Sequence, residues 1–268
     1  MKIFRVRTVN GATHHATRKE GSHVKLTGSI VEGFEIIGQT LNVEEILPPV
    51  EPPVLYGVAG NYRDHIAEGR DDEPVELEKP DRPEFFTMAP MSVIGPESDI
   101  VLPSTAPDYV DYEAELAVVI GQRCRNVEEE AVEEYIAGFT CGNDVTARDC
   151  QKYDKQWYRA KSFDTFCPIG PCIQTEPPEG LSIDGYLNGE LVQSSSTGNM
   201  IFGVDELVEF LSRQFTLLPG TVILTGTPAG VGFAREEERF LREGDEYRVS
   251  IGGIGELTNE VTSSVEGD

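Results

Sequence analysis

Two acidic side chains combine a residue type and a spacing that could hold a cation. Glu113 and Glu115 stand directly before an apolar run from Leu116 to Ile120, which ends at Gly121. Such a run predicts a buried strand, and side chains two apart on a strand share a face, about 6.5–7 Å apart along it. Paired carboxylates repel each other unless a proton or a cation lies between them. The same spacing also fits a solvated acidic face, so this pattern alone leaves both interpretations open.

A third carboxylate follows the next predicted strand. Asp144 lies in the run NDVTARD, just after a short apolar stretch from Phe139 to Gly142. Three carboxylates completed by water molecules suit a hard divalent ion. We therefore predict that Glu113, Glu115 and Asp144 bind Mg²⁺, with Mn²⁺ or Ca²⁺ as alternatives.

A possible general base lies earlier in the chain, on a short segment of helical composition. The segment begins after Asn61, a plausible N-cap, and stops at Gly69. His65 and Glu68 are three residues apart, so they share a helix face. They are either an ordinary exposed pair or a base oriented by a carboxylate.

Three long motifs connect these residues to a known family. They read DYE-x-EL-x-VVIG, GFT-x-x-NDVTARD-x-Q and QW-x-x-AKSFDTFCPIGP. Together they resemble the fumarylacetoacetate hydrolase (FAH) family, over a span from about Tyr56 to Val261. The resemblance implies that the two Glu of E-x-E and the Asp of NDV bind one divalent cation. It also implies that the His–Glu pair lies on a lid helix and activates water, as in the hydrolase members.

The resemblance extends to residues that would contact the substrate. Lys161, in AKSF, is expected to meet the negative charge that develops on a substrate oxygen, and is one of only seven Lys in the chain. Arg148 and Gln151 follow Asp144 within two turns and are predicted to bind substrate. Thr227 lies in the glycine-rich run TGTPAGVG, which matches the TGTP loop of the family and is also a predicted substrate contact. That run is not a phosphate-binding loop, because GK[ST] is missing.

Two other segments concern access to the predicted site. The charged stretch 70–84 has no periodicity and is a candidate lid. The chain has Thr87-Met88-Ala89-Pro90 where family members usually carry a Lys, as in FLKPS. We expect this departure to remove a cation near the mouth of the pocket, which weakens any transfer of substrate specificity from relatives.

The resemblance implies chemistry on a 2-oxo acid. Our main prediction is a hydrolase that cleaves a C–C bond in an acylpyruvate or a fumarylacetoacetate-like 2,4-dioxo acid, with His65, Glu68 and Lys161 as catalytic residues. The alternatives are an isomerase or a decarboxylase of 2-oxo acids, or a dehydratase of 2-keto-3-deoxy sugar acids, with the same metal site. A further alternative is a module that binds a 2-oxo acid without turnover.

The predicted fold is α+β and dominated by strands. Residues 1–50 form a small β-rich unit that ends at the proline-rich LPPVEPP, and residues 51–268 form the catalytic domain. Within these, we predict a helical turn at 43–47, a helix from Asn126 to about 137, a hairpin turning at Asn188-Gly189 and a helix over 204–214. The family resemblance implies a rolled mixed β-sandwich or barrel-like core with flanking helices, and a homodimer.

Composition excludes several classes of partner. The 268 residues carry 47 acidic against 22 basic side chains, a net charge of −25. Nucleic acids and anionic membranes need clustered Lys and Arg, so neither is expected to bind. We also predict no membrane span and no signal peptide.

The cysteines and the acidic surface predict the cellular environment of the protein. Five Cys without C-x-x-C pairs predict reduced thiols in a cytoplasmic protein. A dispersed acidic surface with little Lys further predicts a halophilic protein adapted to concentrated KCl.

Overall fold

A computed structural model describes residues 1–68, 78–176 and 180–264, and strands dominate these ranges. Three α-helices are present there: α1 (Arg63–Ala67), α2 (Arg148–Tyr153) and α3 (Val204–Gln214). Short 3₁₀ helices cover Pro90–Ser92, Glu129–Tyr135, Thr197–Asn199 and Gly232–Ala234. The strands are β1 (Lys2–Thr8), β2 (Thr13–Lys19), β3 (Ser22–Ser29), β4 (Gly33–Thr40), β5 (Val43–Leu47), β6 (Leu55–Ala59), β7 (Glu84–Met88), β8 (Val93–Ile94), β9 (Ile100–Leu102), β10 (Val110–Asp111), β11 (Ala114–Ile120), β12 (Ile136–Asn143), β13 (Thr146–Ala147), β14 (Cys167–Gln174), β15 (Ser182–Leu187), β16 (Glu190–Ser196), β17 (Val222–Leu224), β18 (Glu246–Ile251) and β19 (Gly255–Ser263).

These strands form two large mixed sheets. The longer sheet follows the order β4-β3-β2-β1-β14-β12-β11-β17-β6-β7, with β5 paired to β1 and β8 to β14. A five-stranded sheet has the order β16-β15-β18-β19-β9, and β10 pairs with β13 in a small ribbon. Strands β11, β12 and β14 contact β15, β18 and β19 of the other sheet, so the main core lies between the two sheets. This β-dominated mixed architecture confirms the predicted fold class.

The first five strands continue the long sheet. Strand β1 pairs with β2 and β5 on its own side, and its first residues, Lys2 and Ile3, pair with Gln174 and Ile173 of β14. The helical turn predicted over 43–47 is wrong: these residues form β5, because pairing with β1 satisfies their backbone hydrogen bonds. The domain boundary near residue 50 stays a prediction.

The helix predicted from Asn126 is also wrong in type and start. A 3₁₀ helix occupies Glu129–Tyr135, while Asn126 has a left-handed backbone, with φ of 53°. The amide of Asn126 donates to the carbonyl of Ser212 on α3, and the amide of Gly121 donates to the carbonyl of Tyr135. Contacts with α3 and with the end of β11 therefore outweigh the local helical preference of this acidic segment.

Two predicted elements are confirmed. Helix α3 covers Val204–Gln214 and buries Leu207, Val208 and Leu211 against the core. Strands β15 and β16 form the predicted hairpin, with Asn188 and Gly189 at φ of 53° and 77°, the left-handed values that a type I′ turn requires.

Strands β11 and β12 are the elements that position the site. All seven residues of β11 are buried, which confirms the buried strand predicted from the apolar run. Ala114 pairs with Asn143 and Glu115 with Gly142, so the start of β11 lies beside the end of β12. Polar residues at these two positions must therefore meet at one edge of the core.

Candidate active site

Glu113, Glu115 and Asp144 come together where β11 begins and β12 ends. One carboxylate oxygen from each residue lies within 4.8 Å of the others, and all three side chains are buried. The amide of Asp144 donates to the carbonyl of Glu113 over 3.0 Å, which fixes the two backbones together. The period-two spacing and the adjacency of the two strands thus produce the acidic cluster that the sequence predicts.

Two cations lie against this cluster: Lys161, which is buried, and Arg148, whose side chain is 10% exposed. The ammonium of Lys161 donates to Glu113 Oε2 over 2.9 Å and to Asp144 Oδ2 over 2.6 Å, and its side chain is 2% exposed. The guanidinium of Arg148 lies 2.7 Å from Glu113 Oε1. Glu113 is thus paired on both oxygens, whereas Glu115 accepts one hydrogen bond, from the amide of Gly226 over 2.6 Å.

The three carboxyl groups differ in acidity because their partners differ. Burial by itself raises the pKa of Glu113, but the charges of Lys161 and Arg148 outweigh it and lower the pKa to about 2. Burial, with repulsion from Asp144 and Glu113, raises the pKa of Glu115 well above its ordinary value. Burial also raises the pKa of Asp144 to about 7, although Lys161 acts in the opposite direction. Without a further cation, this cluster therefore holds protons near neutral pH.

The residues present fit a divalent cation. Among the described residues, Glu113, Glu115, Asp144 and a fourth buried carboxylate, Asp111, lie against two cations, Lys161 and Arg148, which leaves a formal charge of −2 that one divalent ion would neutralise. Within the described ranges, the buried Asp144 Oδ1 has no hydrogen-bond partner. An unpaired anionic oxygen inside an all-carboxylate cluster is the donor arrangement that Mg²⁺, Mn²⁺ or Ca²⁺ requires.

His65 and Glu68 lie on and directly after α1 and contact each other. His65 Nδ1 is 2.5 Å from Glu68 Oε1, and the other oxygen of Glu68 accepts from the amide of Gly230 over 2.6 Å. Both side chains are largely buried, so they are not an ordinary exposed pair. Asn61 does not cap this helix: its side-chain amide instead binds Thr225 and Phe202 across the core.

The glycine-rich loop after β17 supports protein carboxylates. The amides of Gly226, Gly230 and Gly232 donate to Glu115, Glu68 and Asp111, respectively. A Cβ on Gly226 would lie 2.7 Å from Asn61 Cβ, and one on Gly230 would lie 2.1 Å from the carbonyl oxygen of Val192, so both positions need glycine. These amides are therefore engaged within the protein.

Asp111 is the residue of this network that the sequence interpretation missed. It is fully buried, and Oδ2 accepts from Arg148 Nε over 2.8 Å while Oδ1 accepts from the Gly232 amide over 2.7 Å. Asp111 thereby ties Arg148 to the glycine-rich loop. A signal was available, because Asp111, Glu113 and Glu115 continue one period-two series.

Most of the predicted residues line one small cavity of about 200 Å³. Gln151 accepts from Arg148 NH1 over 3.0 Å, and Thr227 Oγ1 donates to the carbonyl of Ala114 and accepts from Gln193. Asp144 and Glu68 do not line this cavity, but each contacts a residue that does: Asp144 contacts Lys161, and Glu68 contacts His65. The roles of all nine residues in binding and catalysis stay predictions. Those that line the cavity are His65, Glu113, Glu115, Arg148, Gln151, Lys161 and Thr227.

Other sequence predictions have mixed outcomes. Most of the candidate lid over 70–84 lies outside the described residues. Met88 is buried in the core with Leu55 and Ile169 and does not line this cavity, whereas Thr87 of the same run lines a neighbouring cavity. The expected loss of a cation near the pocket mouth stays a prediction. All five Cys are free and buried. In the described part of the chain, no helix has both the length and the apolarity that crossing a bilayer requires.

Comparison with known proteins agrees with this geometry. The oxaloacetate tautomerase Fahd2a, mitochondrial, of Rattus norvegicus is 40% identical over 221 residues, which cover 81% of this chain and 68% of the rat protein. The fumarylacetoacetate hydrolase from psychrophilic Exiguobacterium antarcticum superposes with a TM-score of 0.88 at 37% identity, over 98% of this chain and 100% of that one. The 5-carboxymethyl-2-hydroxymuconate delta-isomerase from Mycobacterium smegmatis gives a TM-score of 0.86 at 35% identity, over 98% and 100%. Residues 54–262 match the model of the fumarylacetoacetate (FAA) hydrolase C-terminal family. The chain is an enzyme of the fumarylacetoacetate hydrolase family, with a buried Glu-Glu-Asp triad that suits a divalent metal ion.

Proposed function

We propose that the protein is a metal-dependent isomerase that interconverts the keto and enol forms of a 2-oxo acid, with oxaloacetate as the first substrate to test. The observation that carries this proposal is that one cavity of about 200 Å³ brings His65 and Lys161 together with Glu113 and Glu115 of the acidic triad. A cavity of this size suits the head group of a small 2-oxo acid. The similarity to an oxaloacetate tautomerase and to an isomerase supports the same choice.

Keto–enol interconversion moves one proton between carbon 3 and the oxygen on carbon 2. Because His65 Nδ1 contacts Glu68, Nε2 is the ring nitrogen free to accept the carbon-bound proton. Glu68 is held by the Gly230 amide, so it fixes the ring orientation and stabilises the imidazolium that forms.

Charge on the substrate oxygen needs a partner as the proton leaves. Lys161 uses two of its three N–H donors on Glu113 and Asp144, which leaves one donor for that oxygen. When bound by Glu113, Glu115 and Asp144, a divalent cation supplies Lewis-acid stabilisation of the 2-oxo acid head group. Because all three carboxylates are buried, the charge of such a cation would lie in a region of low dielectric, where it stabilises an anionic oxygen more strongly than in water.

Hydrolysis of an acylpyruvate C–C bond is the second candidate, favoured by one observation. The His65–Glu68 contact of 2.5 Å, anchored by Gly230, is also the arrangement that activates a water molecule. In that reaction His65 Nε2 takes a proton from water, the hydroxide attacks the distal carbonyl, and pyruvate leaves as its enolate.

Side-by-side assays separate the two candidates. Enol-oxaloacetate conversion and acetylpyruvate cleavage are followed with Mg²⁺ or Mn²⁺ and then with EDTA, in molar KCl. We expect tautomerisation to depend on the metal and to be faster than cleavage. Activity should be lost in Glu115→Gln and in Asp144→Asn. Glu256→Gln is the control and should leave activity unchanged, because Glu256 pairs with Arg248 at the surface. His65→Gln should lower the rate by about 100-fold or more.

The opposite results each have a clear meaning. Cleavage of acetylpyruvate faster than tautomerisation replaces this proposal with the hydrolase. Decarboxylation, or dehydration of a 2-keto-3-deoxy sugar acid, without tautomerisation identifies one of the other family reactions. Thermal stabilisation by 2-oxo acids with no product at all identifies a binding module.

A further inference from the structure

The small cavity at the triad adjoins two larger ones. One outer cavity, of about 640 Å³, shares Ala59, Phe86 and Trp157 with the inner cavity; the other, of about 770 Å³, shares Arg148, Gln151, Trp157 and Phe233. We call the first of these outer cavities the aromatic annex. Its six aromatic side chains are Tyr56, Phe85, Phe86, Trp157, Tyr158 and Phe215.

The two partitions around the inner cavity differ in rigidity. Arg148 forms ion pairs with Asp111 and Glu113 and donates a hydrogen bond to Gln151. Its guanidinium also lies 4.3 Å from the ring centroid of Phe233. Ion pairs and hydrogen bonds therefore hold the wall toward the second outer cavity. The wall toward the aromatic annex consists of one small residue and two rings.

Phe86 and Trp157 form the movable part of this second wall. Their rings meet edge-on with centroids 5.5 Å apart. Phe86 also lies against the ammonium of Lys161, which is 5.2 Å from its ring centroid. Edge-on ring contacts and cation–π contacts are both weaker than a buried ion pair. Rotation of one ring therefore connects the inner cavity to the aromatic annex at lower cost than any opening past Arg148.

We propose that the aromatic annex is a second part of the substrate site, and that it takes an aryl or other planar unsaturated substituent of a 2-oxo acid whose head group lies in the inner cavity. This inference rests on the proposed function. Trp157, which alone among the described residues lines all three cavities, determines how far the substrate extends.

The lining of the aromatic annex specifies the chemistry of this substituent. Phe215 and Tyr158 are 53% and 50% exposed, which leaves large ring surfaces open to a ligand. The rings of Phe215 and Tyr56 stack at 6.2 Å and 13°, which forms a flat wall. Among the described residues, the charged side chains that line the annex are Glu84 and Lys155, one of each sign, so this part of the lining has no net charge to attract a second carboxylate.

A binding experiment tests the annex separately from turnover. Trp157 is the only tryptophan in the chain, so its fluorescence reports ligands at the partition. The full-length protein with Mg²⁺ is titrated with 4-phenyl-2-oxobutanoate and with 2-oxobutanoate, which share a head group and differ by the phenyl ring. We expect the phenyl compound to bind about tenfold more tightly.

Two substitutions locate the effect. Phe215→Ala, at a half-exposed position that tolerates truncation, should reduce this preference by about fivefold without changing the affinity for 2-oxobutanoate. Tyr153→Ala is the control, because Tyr153 is an exposed ring of the other outer cavity. It should change neither affinity.

The outcomes also separate this inference from the proposed function. Equal affinities for the two compounds, or a preference that survives Phe215→Ala, overturn the annex even if oxaloacetate is tautomerised. A preference for the phenyl compound that is lost only in Phe215→Ala supports the annex, whether or not oxaloacetate is tautomerised. If tautomerisation is absent, the proposed reaction is wrong but the proposed binding site is supported.

Discussion

Replacing Asp111 by Asn should destabilise the protein far more than the same change at Asp154. Both residues pair with an arginine through two contacts. Asp111 makes both at Oδ2, with Arg148 Nε and Nη2 at 2.8 Å each, whereas Asp154 makes one at each oxygen, with Arg159 Nε at 2.7 Å and Nη2 at 2.8 Å. Asp111 is fully buried and also accepts from backbone amides, whereas the side chains of Asp154 and Arg159 are 27% and 56% exposed. The two variants therefore compare a buried ion pair that backbone amides support with a partly exposed one.

The magnitude follows from the donors around Asp111. Its Oδ1 accepts from the amides of Tyr112 and Gly232, and its Oδ2 accepts from Arg148 and from the amide of Phe233. Either orientation of an Asn side chain therefore points an NH₂ group at donors that already lack an alternative partner. Breaking a buried ion pair in this way costs about 3–5 kcal/mol. For a protein of this size that corresponds to a fall in Tm of about 10 °C.

The assay is thermal unfolding of the wild type, Asp111→Asn and Asp154→Asn in the same buffer with Mg²⁺. Asp154→Asn should melt close to the wild type, because exposed pairs are screened by water and salt. A Tm for Asp111→Asn within about two degrees of that control would refute the argument that this buried pair holds Arg148. Oxaloacetate kinetics on the folded variant should also show a raised KM, since Arg148 lines the cavity.

Two further predictions concern ions. In metal-free protein the pKa of Asp144 is raised to about 7 and that of Glu115 is raised well above its ordinary value, chiefly by burial. The folded state therefore holds protons that the unfolded chain has lost, so stability falls as pH rises from the unfolded pKa toward 7. Mg²⁺ competes with those protons, and the difference in Tm between Mg²⁺ and EDTA should be larger at pH 8 than at pH 5; a difference independent of pH would contradict the metal site. Separately, Tm should rise with KCl up to molar concentrations, because 47 acidic residues face 22 basic ones; highest stability in dilute buffer would contradict the halophilic interpretation.

Local rules account for one part of the acidic triad, and the family resemblance accounts for the rest. Period-two alternation places Glu113 and Glu115 on one face, but this pattern also fitted a solvated acidic face. Asp144 reaches the same edge because β12 pairs with β11 after a connection of 15 residues. The hairpin at Asn188-Gly189 was predictable from local rules, since two adjacent residues determine the turn type. The shared face of Glu113 and Glu115 and the hairpin turn needed no knowledge of distant parts of the chain, whereas the place of Asp144 did.

Elements with long-range partners were not predictable in this way. The 43–47 segment becomes a strand because β1 lies beside it, and Asn126 leaves the helical conformation because Ser212, 86 positions later, binds its amide. Local composition favoured a helix at both places. The contact between Asp111 and Arg148 likewise spans 37 residues and becomes visible only when β10 and β13 are paired.

The glycine-rich loop is the point at which the sequence interpretation and the structure differ most in physical meaning. A run such as TGTPAGVG favours amides that bind a ligand, yet the amides of Gly226, Gly230 and Gly232 bind Glu115, Glu68 and Asp111. One loop therefore supports a candidate metal ligand, the carboxylate behind His65 and the partner of Arg148. Backbone amides have no residue-type signature, so no motif could have assigned these contacts. Because the three carboxylates share this support, a displacement of the loop changes the acidity of the triad, the orientation of the base and the position of Arg148 together.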